Sequence, residues 1–546
     1  MGKCLASGRV GVEEFDFIVI GSGPGGSVTA SRLSEDPSVS VALLEAGPDR
    51  RGFLGTNTAA GAIALGPKPS SNNWGFETVA DPGLNHRRDY HVLGRGLGGG
   101  TSINTLMYMR GNRRDYDAWA ELGNPGWSYD DLLPYFRKSE NNQTHHDKYH
   151  GNEGPLWVEE LRTDNPYHPI IHQACREAGW PHNPDFNGEN QEGFNTVQVM
   201  MKGGERHSVA KSFILPHLGR RANLKLHVDT ECTRILFEGK KAAGVEVIHN
   251  GQVRQMRARK EVILAAGGIL SAKLLLLSGV GAGAELRAHG IPVVQDLPGV
   301  GRHLADHIDV VLGYHIPGDP NLLGVSPVGA WALLKAFGRW RAERRGMMTT
   351  NFAEVTGFMK LTPQSELPEI QYEFVICLAM DHGRKLLPQH GLSCHVLLLH
   401  PKSTGSVRLA SANFRDAPVI DFAYFSQPED LATLVEGIKR TVKVFASPSL
   451  KRLIKRDLVT AHCKSDEDWA EFCRNGGGTN YHPVGSCRMG PAGADNVVDE
   501  RLRVHGMENL RVIDSSIMPR IVGGNTTAPT VAIAEKGADM IRQDWR

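Results

Sequence analysis

Three glycines and an acid are the first residues in this chain whose spacing points to chemistry. Gly21, Gly23 and Gly26 stand as G-x-G-x-x-G within residues 15–26, FDFIVIGSGPGG, and Glu45 follows the run VALL. The chemistry is phosphate and ribose binding. Gly21 permits a tight turn, Gly23 lets the backbone approach a pyrophosphate, and Gly26 lets helix and strand pack closely. The N–H groups of the helix that follows face the phosphates, and Glu45 falls where a carboxylate accepts hydrogen bonds from a ribose diol. A purely structural turn is the alternative. A strand before the glycines, a helix after them and an acid at the end of the next strand argue against it. Among 23 histidines, His303 and His307 are spaced i, i+4 in GRHLADH, but the Glu of H-E-x-x-H is missing, and we read them as structural. His145, His146 and His150 share a polar loop with Asp147 in a spacing that matches no familiar ligand set, so a solvated loop and no metal are expected. A serine hydrolase would need G-x-S-x-G, which is missing.

The elements that position these groups follow from periodicity. Residues 17–20 are an apolar, β-branched run and read as a buried strand; 27–33 carry small and apolar residues at helical spacing; 39–44 read as a second buried strand. This is the βαβ unit of a dinucleotide-binding domain. Residues 93–104, LGRGLGGGTSIN, hold five glycines, too many for a helix interior, and suit backbone lying against a flat or charged ligand. Residues 115–137 read as helical and aromatic. Strands are expected at 224–228, 233–237, 244–248 and 261–266, the last meeting Gly267-Gly268 and a helix from Ser271. These return to the first sheet, which makes the nucleotide domain discontinuous. From about residue 309 to 470 the character changes. Strands at 370–376, 393–399 and 405–409 suggest an antiparallel sheet, and 431–445 an amphipathic helix. Glycine-punctuated motifs then return: NYHPVGSCRMG at 480–490, a strand at 510–515 ending on Asp514, GGNTTAPT at 523–530, and a helix at 531–541. The fold class is α/β, with 14–310 and 471–546 forming the nucleotide domain and 311–470 an α+β substrate domain.

Bulk properties set limits. The 546 residues suffice for two or more domains. Lys plus Arg is 61 against 60 Asp plus Glu, a formal charge of +1, so no nucleic-acid partner is expected. Eight scattered cysteines, with no C-x-x-C pair, fit reduced thiols in the cytoplasm. The start MGKCLASGRVGVEE has no apolar signal region and fails the myristoylation pattern, and no apolar run is long enough to span a bilayer.

From about Phe15 to Ile541 the chain resembles the glucose–methanol–choline oxidoreductases. The motifs that carry the likeness are 94–104, GGILSAKLLLLSGVG at 267–281, and the run from NYHPVGSCRMG through VVDERLRVHGMENLRVIDSSIMPRIVGGNTTAPTVAIAEK. Gly268 and Ala272 depart from the usual family residues and read as tolerated turn variation. The likeness is nearest to the choline dehydrogenase branch and, within it, to flavin alcohol dehydrogenases. It implies FAD as the nucleotide and a Rossmann-like FAD-binding domain. Gly21, Ser22, Gly23, Gly25, Gly26, Glu45 and Ala46 would hold the ADP half, with Cys232 meeting adenine through its backbone. Trp74, Arg95, Gly98, Gly99, Asn104 and Met107 would line the pyrophosphate and isoalloxazine. Asp514 and Ser515 would lie near the ribityl chain, and Asn525, Thr526 and Thr527 near the pyrimidine. Ile103 matches the position where some relatives attach flavin through His, so the link is expected to be non-covalent.

By the same likeness His482 is the base that takes the alcohol proton, and Asn525 donates a hydrogen bond to the developing alkoxide. The implied reaction is oxidation of a primary alcohol, aliphatic or aryl-alkyl, to the aldehyde, with a quinone-type acceptor. Choline dehydrogenase and an oxygen-using oxidase are the alternatives, and Glu354 with Phe352 are candidates for a choline cage. Non-redox relatives fit less well. Photodecarboxylases lack the His and carry Gln for Asn525, with a Cys-Arg constellation where this chain has His400-Pro401-Lys402; hydroxynitrile lyases usually pair two histidines. Residues 330–345, AWALLKAFGRWRAERR, read as a basic helix with aromatics beside the site. It either covers the pocket mouth or lies peripherally on the inner membrane.

Overall fold

The computed structural model describes residues 12–61, 65–324, 326–381, 384–387 and 389–546. Cys4 and most of the N-terminal start discussed above lie outside the described residues. The strand Glu13–Ile20 is buried on both faces from Phe15 onward, as its unbroken apolar run requires of a central parallel strand. It runs parallel to Val41–Leu44 on one side and to Gln252–Leu264 on the other. Leu224–His227 extends the sheet beyond Val41–Leu44. The hairpin strands Thr230–Glu238 and Lys241–His249 join it antiparallel through the first half of Gln252–Leu264, and Leu510–Val512 pairs parallel with the second half. In this register Ile20, Leu44, His227, Leu264 and Val512 lie in one row. The chain therefore leaves the parallel strands at a common level, which is where an open α/β sheet binds ligands.

Helix α1, Pro24–Leu33, begins at Gly23 with Pro at its first position and packs on the sheet through its small residues. Helix α2, Gly267–Leu277, starts where Gln252–Leu264 ends. A longer helix, α3, spans Pro327–Glu343 on the outside of the molecule. Helix α4, Thr527–Asp544, is buried along most of its length and meets α1, where Arg32 pairs with Glu535 at 2.7 Å. Helices α1, α2 and α4 begin at the level where the parallel strands end, and α3 does not.

The second sheet is antiparallel, as its alternation predicts, in the order Arg456–Asp457, Ile308–His315, Gly391–Leu398, Ile370–Val375, Ala353–Met359 and Gly193–Thr196. Gly478–Thr479 adds to Ile308–His315. The sheet thus draws strands from both sides of the 311–470 block, because its edges are completed by segments that enter from the nucleotide-binding side. Residues 405–409 do not join it. Ser406–Arg408 pairs with Val419–Asp421 in a separate ribbon, while Gly405 is held by backbone bonds to Leu304. The stretch 115–137 is two helices, Arg113–Glu121 and Tyr129–Ser139, each opened by a capping box, on Asn112 and on Ser128. Gly123 and Gly126, both at positive φ, break the helix between them.

Candidate active site

A cavity of about 450 Å³ opens at the row where the strands end. Gly21, Ser22, Gly23, Gly25, Glu45 and Ala46 line it from the first βαβ turn. Gly99, Asn104 and Met107 line it from the glycine-rich segment and its continuation, and Trp74, Cys232, Asp514, Ser515, Thr526 and Thr527 line it too. His482 and Asn525 line the same cavity. Gly26, Arg95 and Gly98 do not line the cavity; they support it. A Cβ on Gly26 would lie 1.8 Å from the Gly21 carbonyl oxygen, so only glycine lets α1 rise from that turn. Arg95 stacks on Trp74 with its guanidinium carbon 4.6 Å from the ring centroid, and Gly98 N–H donates to Ser22 Oγ at 3.1 Å.

Glu45 is also a brace. Its carboxylate accepts from Ser22 N and Oγ at 3.1 and 2.6 Å and from Gly47 N and Gly96 N, each at 2.9 Å, tying three turns together. Burial pushes its pKa up, against these hydrogen bonds. Asp514 does the same at the far side of the sheet. It accepts from Gly267 N at 2.8 Å, Ser271 Oγ at 2.5 Å and Ser516 N at 2.8 Å, which joins the start of α2 to the end of Leu510–Val512. Gly268 is more than tolerated variation: an added Cβ would lie 2.0 Å from the carbonyl oxygen of Pro483, next to His482. The first turn of α4 reaches the cavity at Thr526, Thr527 and Thr530, and Asn104 Nδ2 donates to Thr527 Oγ1 at 3.4 Å.

His482 and Asn525, 43 residues apart, meet with Asn525 Nδ2 3.2 Å from His482 Nε2. Tyr481 takes φ 65°, a left-handed conformation that a bulky residue rarely adopts, and this turn directs His482 inward. The backbone N–H of His482 donates to Asp306 at 2.7 Å. His307, read as structural from sequence, holds the other face of the ring: its Nδ1 lies 3.0 Å from His482 Nδ1. His307 Nε2 donates to the carbonyl of Val522 at 3.0 Å, so its Nδ1 is the acceptor of a neutral ring. The His482 proton then sits on Nδ1, and the Nε2 lone pair faces Asn525 and the cavity. That is the tautomer a general base needs. Burial, with a smaller contribution from His91, pushes the His482 pKa down to about 3, so the ring is unprotonated. The i, i+4 spacing of His303 and His307 brings no metal site, because 303–307 is not helical.

Other expectations change. Among the described residues one group has metal-ligand geometry: Asp147, His150 and Asp185. Burial would lower the His150 pKa, but Asp185 at 3.0 Å and Glu140 at 3.1 Å outweigh it and hold it at about 9. The ring is a buried imidazolium, and Glu140 also pairs with Arg110, so His150 belongs to an ion-pair network and not to a solvated loop. Glu354 does not line the cavity and pairs with His168 at 2.8 Å, so it takes no part in a choline cage, while Phe352 is in the wall. No residue of α3 lines the cavity, so this helix is not beside the site; only the chain beyond it, at Phe352 and Ala353, returns to the wall. Three basic residues of α3 and the two positions after it are engaged within the protein: Arg339 and Arg345 with Asp164, and Arg344 with Glu205. Sequence reasoning also missed Glu373, His395 and Asn480, which line the cavity from the second sheet and its continuation. The period-2 pattern of residues 370–376 was the one signal that could have placed Glu373 on an inner face.

Two family models described as GMC oxidoreductase match residues 15–309 and 401–534. The chain belongs to the GMC oxidoreductase family. It is 41% identical over 536 residues to an alcohol dehydrogenase [acceptor] of Pseudomonas putida, covering 96% of this chain and 95% of that one. It is 38% identical over 551 residues to a mitochondrial choline dehydrogenase of Mus musculus, covering 98% and 91%. Among solved structures it is similar to a formate oxidase of Aspergillus oryzae RIB40 in a study of FAD modification, with TM-score 0.90, 25% identity, and 98% and 99% of the two chains covered. As a GMC oxidoreductase the protein acts on the CH–OH group of alcohols, and the His482–Asn525 pair is the part of the cavity equipped for it.

Proposed function

We propose that this oxidoreductase binds FAD without a covalent link and oxidises primary alcohols, aliphatic or aryl-alkyl, to aldehydes, passing electrons to a quinone-type acceptor. The observation that carries the reading is His482 Nε2, unprotonated, facing Asn525 Nδ2 at 3.2 Å inside the cavity. The chemistry of the lining supports a dinucleotide: glycine turns where a Cβ would clash, and the N-termini of α1, α2 and α4 converging on one space. FAD, when bound, supplies the hydride acceptor. The protein supplies the rest. His482 Nε2 takes the hydroxyl proton, and Asn525 Nδ2 donates to the oxygen as negative charge develops. His307 holds the base in its reactive tautomer. Phe352, Ala353 and Val375 give the wall an apolar stretch suited to hydrocarbon. The name of the Pseudomonas putida relative supports an acceptor other than oxygen.

A panel of choline, primary alkanols and aryl alcohols, read by anaerobic bleaching of the flavin, tests the substrate class; a kcat/KM for choline far above every neutral alcohol would contradict it. Ile103, which by family likeness matches the flavin-attachment position, lines the cavity and has no nucleophile. Acid precipitation should therefore release all yellow colour to the supernatant, and colour left in the pellet would sink non-covalent binding. Reduced enzyme mixed in a stopped-flow instrument with a soluble quinone should reoxidise faster than with air-saturated buffer. Reoxidation by oxygen at the turnover rate would make the protein an oxidase.

The proposal extends to peripheral attachment at the inner membrane, from the cytoplasmic side. No helix among the described residues is long and apolar enough to cross a membrane. Residues 330–345 within and after α3 expose Trp331, Leu333 and Leu334, with Val328 just before them. Because three of the arginines are ion-paired internally, the apolar side chains dominate the contact. Trp331→Ala with Leu334→Ala should weaken vesicle sedimentation more than charge reversal at Arg339, Arg344 and Arg345; equal binding by all variants would remove the membrane from the proposal.

A further inference from the structure

We propose that Glu373 forms a second substrate subsite, selecting alcohols that carry a further hydrogen-bond donor, a hydroxyl or a protonated amine, in addition to the carbinol being oxidised. This rests on alcohol oxidation at His482. Glu373 lies in Ile370–Val375, a strand buried along its whole length. One face of that strand packs in apolar surroundings: Phe374 lies 5.5 Å from Phe445 and Tyr372 4.1 Å from Trp180, between ring centroids. Glu373 and Val375 alternate to the other face and line the cavity. An acid buried there is costly unless its oxygens find donors.

The protein supplies few of them. Gln371 Nε2 donates to Glu373 Oε1 at 3.0 Å, and the same nitrogen lies 3.3 Å from Asn525 Oδ1. Asn525, on which the carbinol oxygen is read to sit, also hydrogen-bonds the acid through its side chain, so Glu373 adjoins the reacting carbon's end of the cavity. Gln371 Oε1, beside it, is buried with no hydrogen-bond partner, a second acceptor in want of a donor. Two titratable groups act on Glu373 directly, His395 and Asp309, and Cys394 and His482 lie near by. His395 is its partner across the neighbouring strand. Asp309 takes that imidazole at 2.5 Å and Asn480 Nδ2 at 2.9 Å. Cys394 adjoins His395, and His482 lies beyond Asn525. The imidazole nearest Glu373 is therefore already engaged by Asp309, which, against burial, raises its pKa. Lys273, a lysine of the lining, donates instead to the carbonyls of Phe414 and Asp416, each at 2.7 Å. Burial pushes Glu373 up to about 7, opposed by the His395 charge. Acid and carboxylate alike accept from a hydroxyl or ammonium, and a substrate that brings such a donor satisfies what the fold leaves open.

The test uses the FAD-loaded enzyme, wild type and the variants Glu373→Gln and Glu373→Leu. Anaerobic flavin reduction is followed with n-alkanols, terminal diols and amino alcohols of matched length, and with choline. In the wild type the diol or the amino alcohol should exceed the alkanol in kcat/KM. That ratio should fall about 10-fold or more in Glu373→Leu, through apparent substrate affinity more than through the limiting reduction rate. Glu373→Gln, which keeps an acceptor, should retain part of it. The wild-type ratio should change through a pH near 7, and the Gln variant's should not. A rate loss shared by all alcohols reports the neighbouring Asn525 and cancels in the ratio. With reduction intact, a ratio unchanged in both variants overturns the subsite alone, as does choline outranking every O–H or N–H donor. Reduction by no alcohol would overturn both the subsite and the alcohol reaction.

Discussion

His482→Ala should slow anaerobic flavin reduction by alcohol ~10²- to 10⁴-fold while the enzyme stays yellow, the range expected for loss of a general base. The size follows from the site's inventory. An alcohol cannot give up hydride easily while it keeps its proton, and the Nε2 lone pair of His482 is the acceptor held against Asn525. His307 fixes the tautomer but offers the cavity no lone pair, since its Nδ1 is spent on His482 and its Nε2 donates to Val522. Asn525 can only donate to the developing alkoxide, so Asn525→Ala should slow reduction by a smaller or similar factor. The pH dependence follows from the pKa of about 3. The ring is neutral throughout the neutral range, and protonation should abolish its function only as pH falls towards that value. A stopped-flow trace of flavin bleaching in the His482 variant that matched the wild type would refute the assignment.

Gly26→Ala should give a colourless and less stable protein. The added methyl would stand 1.8 Å from the Gly21 oxygen and 3.2 Å from the Ala265 side chain. Both are fixed by the sheet, so α1 must move off the strands that support it. Overpacking of this kind costs about 3 kcal/mol, and the displaced α1 N-terminus no longer faces the cavity. Gly23→Ala is the informative contrast. A Cβ there meets nothing within 4 Å in the protein itself, and the backbone φ of −68° suits alanine. That variant should keep its melting temperature without cofactor yet bind FAD weakly, because the methyl intrudes where a pyrophosphate approaches. Thermal melts and flavin content of both variants decide the matter; a yellow Gly26→Ala protein of wild-type stability would contradict this account.

The first nucleotide-binding turn was legible because it is local: strand, glycines, helix and acid lie within 33 residues of one another, from Glu13 to Glu45. The return of Gln252–Leu264 and Leu510–Val512 to the first sheet was legible for a related reason, since short apolar runs ending in glycine or aspartate mark central parallel strands. What escaped was non-local. His307 looked structural because its partner is 175 residues away, and only the fold turns its Nδ1 to His482. Glu373 was passed over because its strand's alternation set it on one face with Gln371 and Val375, but only the fold shows that this face lines the cavity. The arginines of 339–345 looked free because Asp164 and Glu205, which engage three of them, belong to other parts of the chain.

The closing of the first sheet by the end of the chain has a consequence for biosynthesis. Leu510–Val512 pairs with Gln252–Leu264, α4 packs on α1, and both His482 and Asn525 come from the last stretch. Domains made from one continuous segment fold as they leave the ribosome, N-terminal first, at about 5–20 residues per second. Here Leu264 must wait for Leu510, roughly 250 residues and so roughly 12–50 s at that pace, with one edge of its second half unpaired. An open strand edge and an unfilled nucleotide groove are then exposed together. A chain that stops before Leu510 would leave that edge of the first sheet open and lack Asn525, and one that lacks only α4 would close the sheet yet lose the helix that packs on α1 and the threonines that line the cavity.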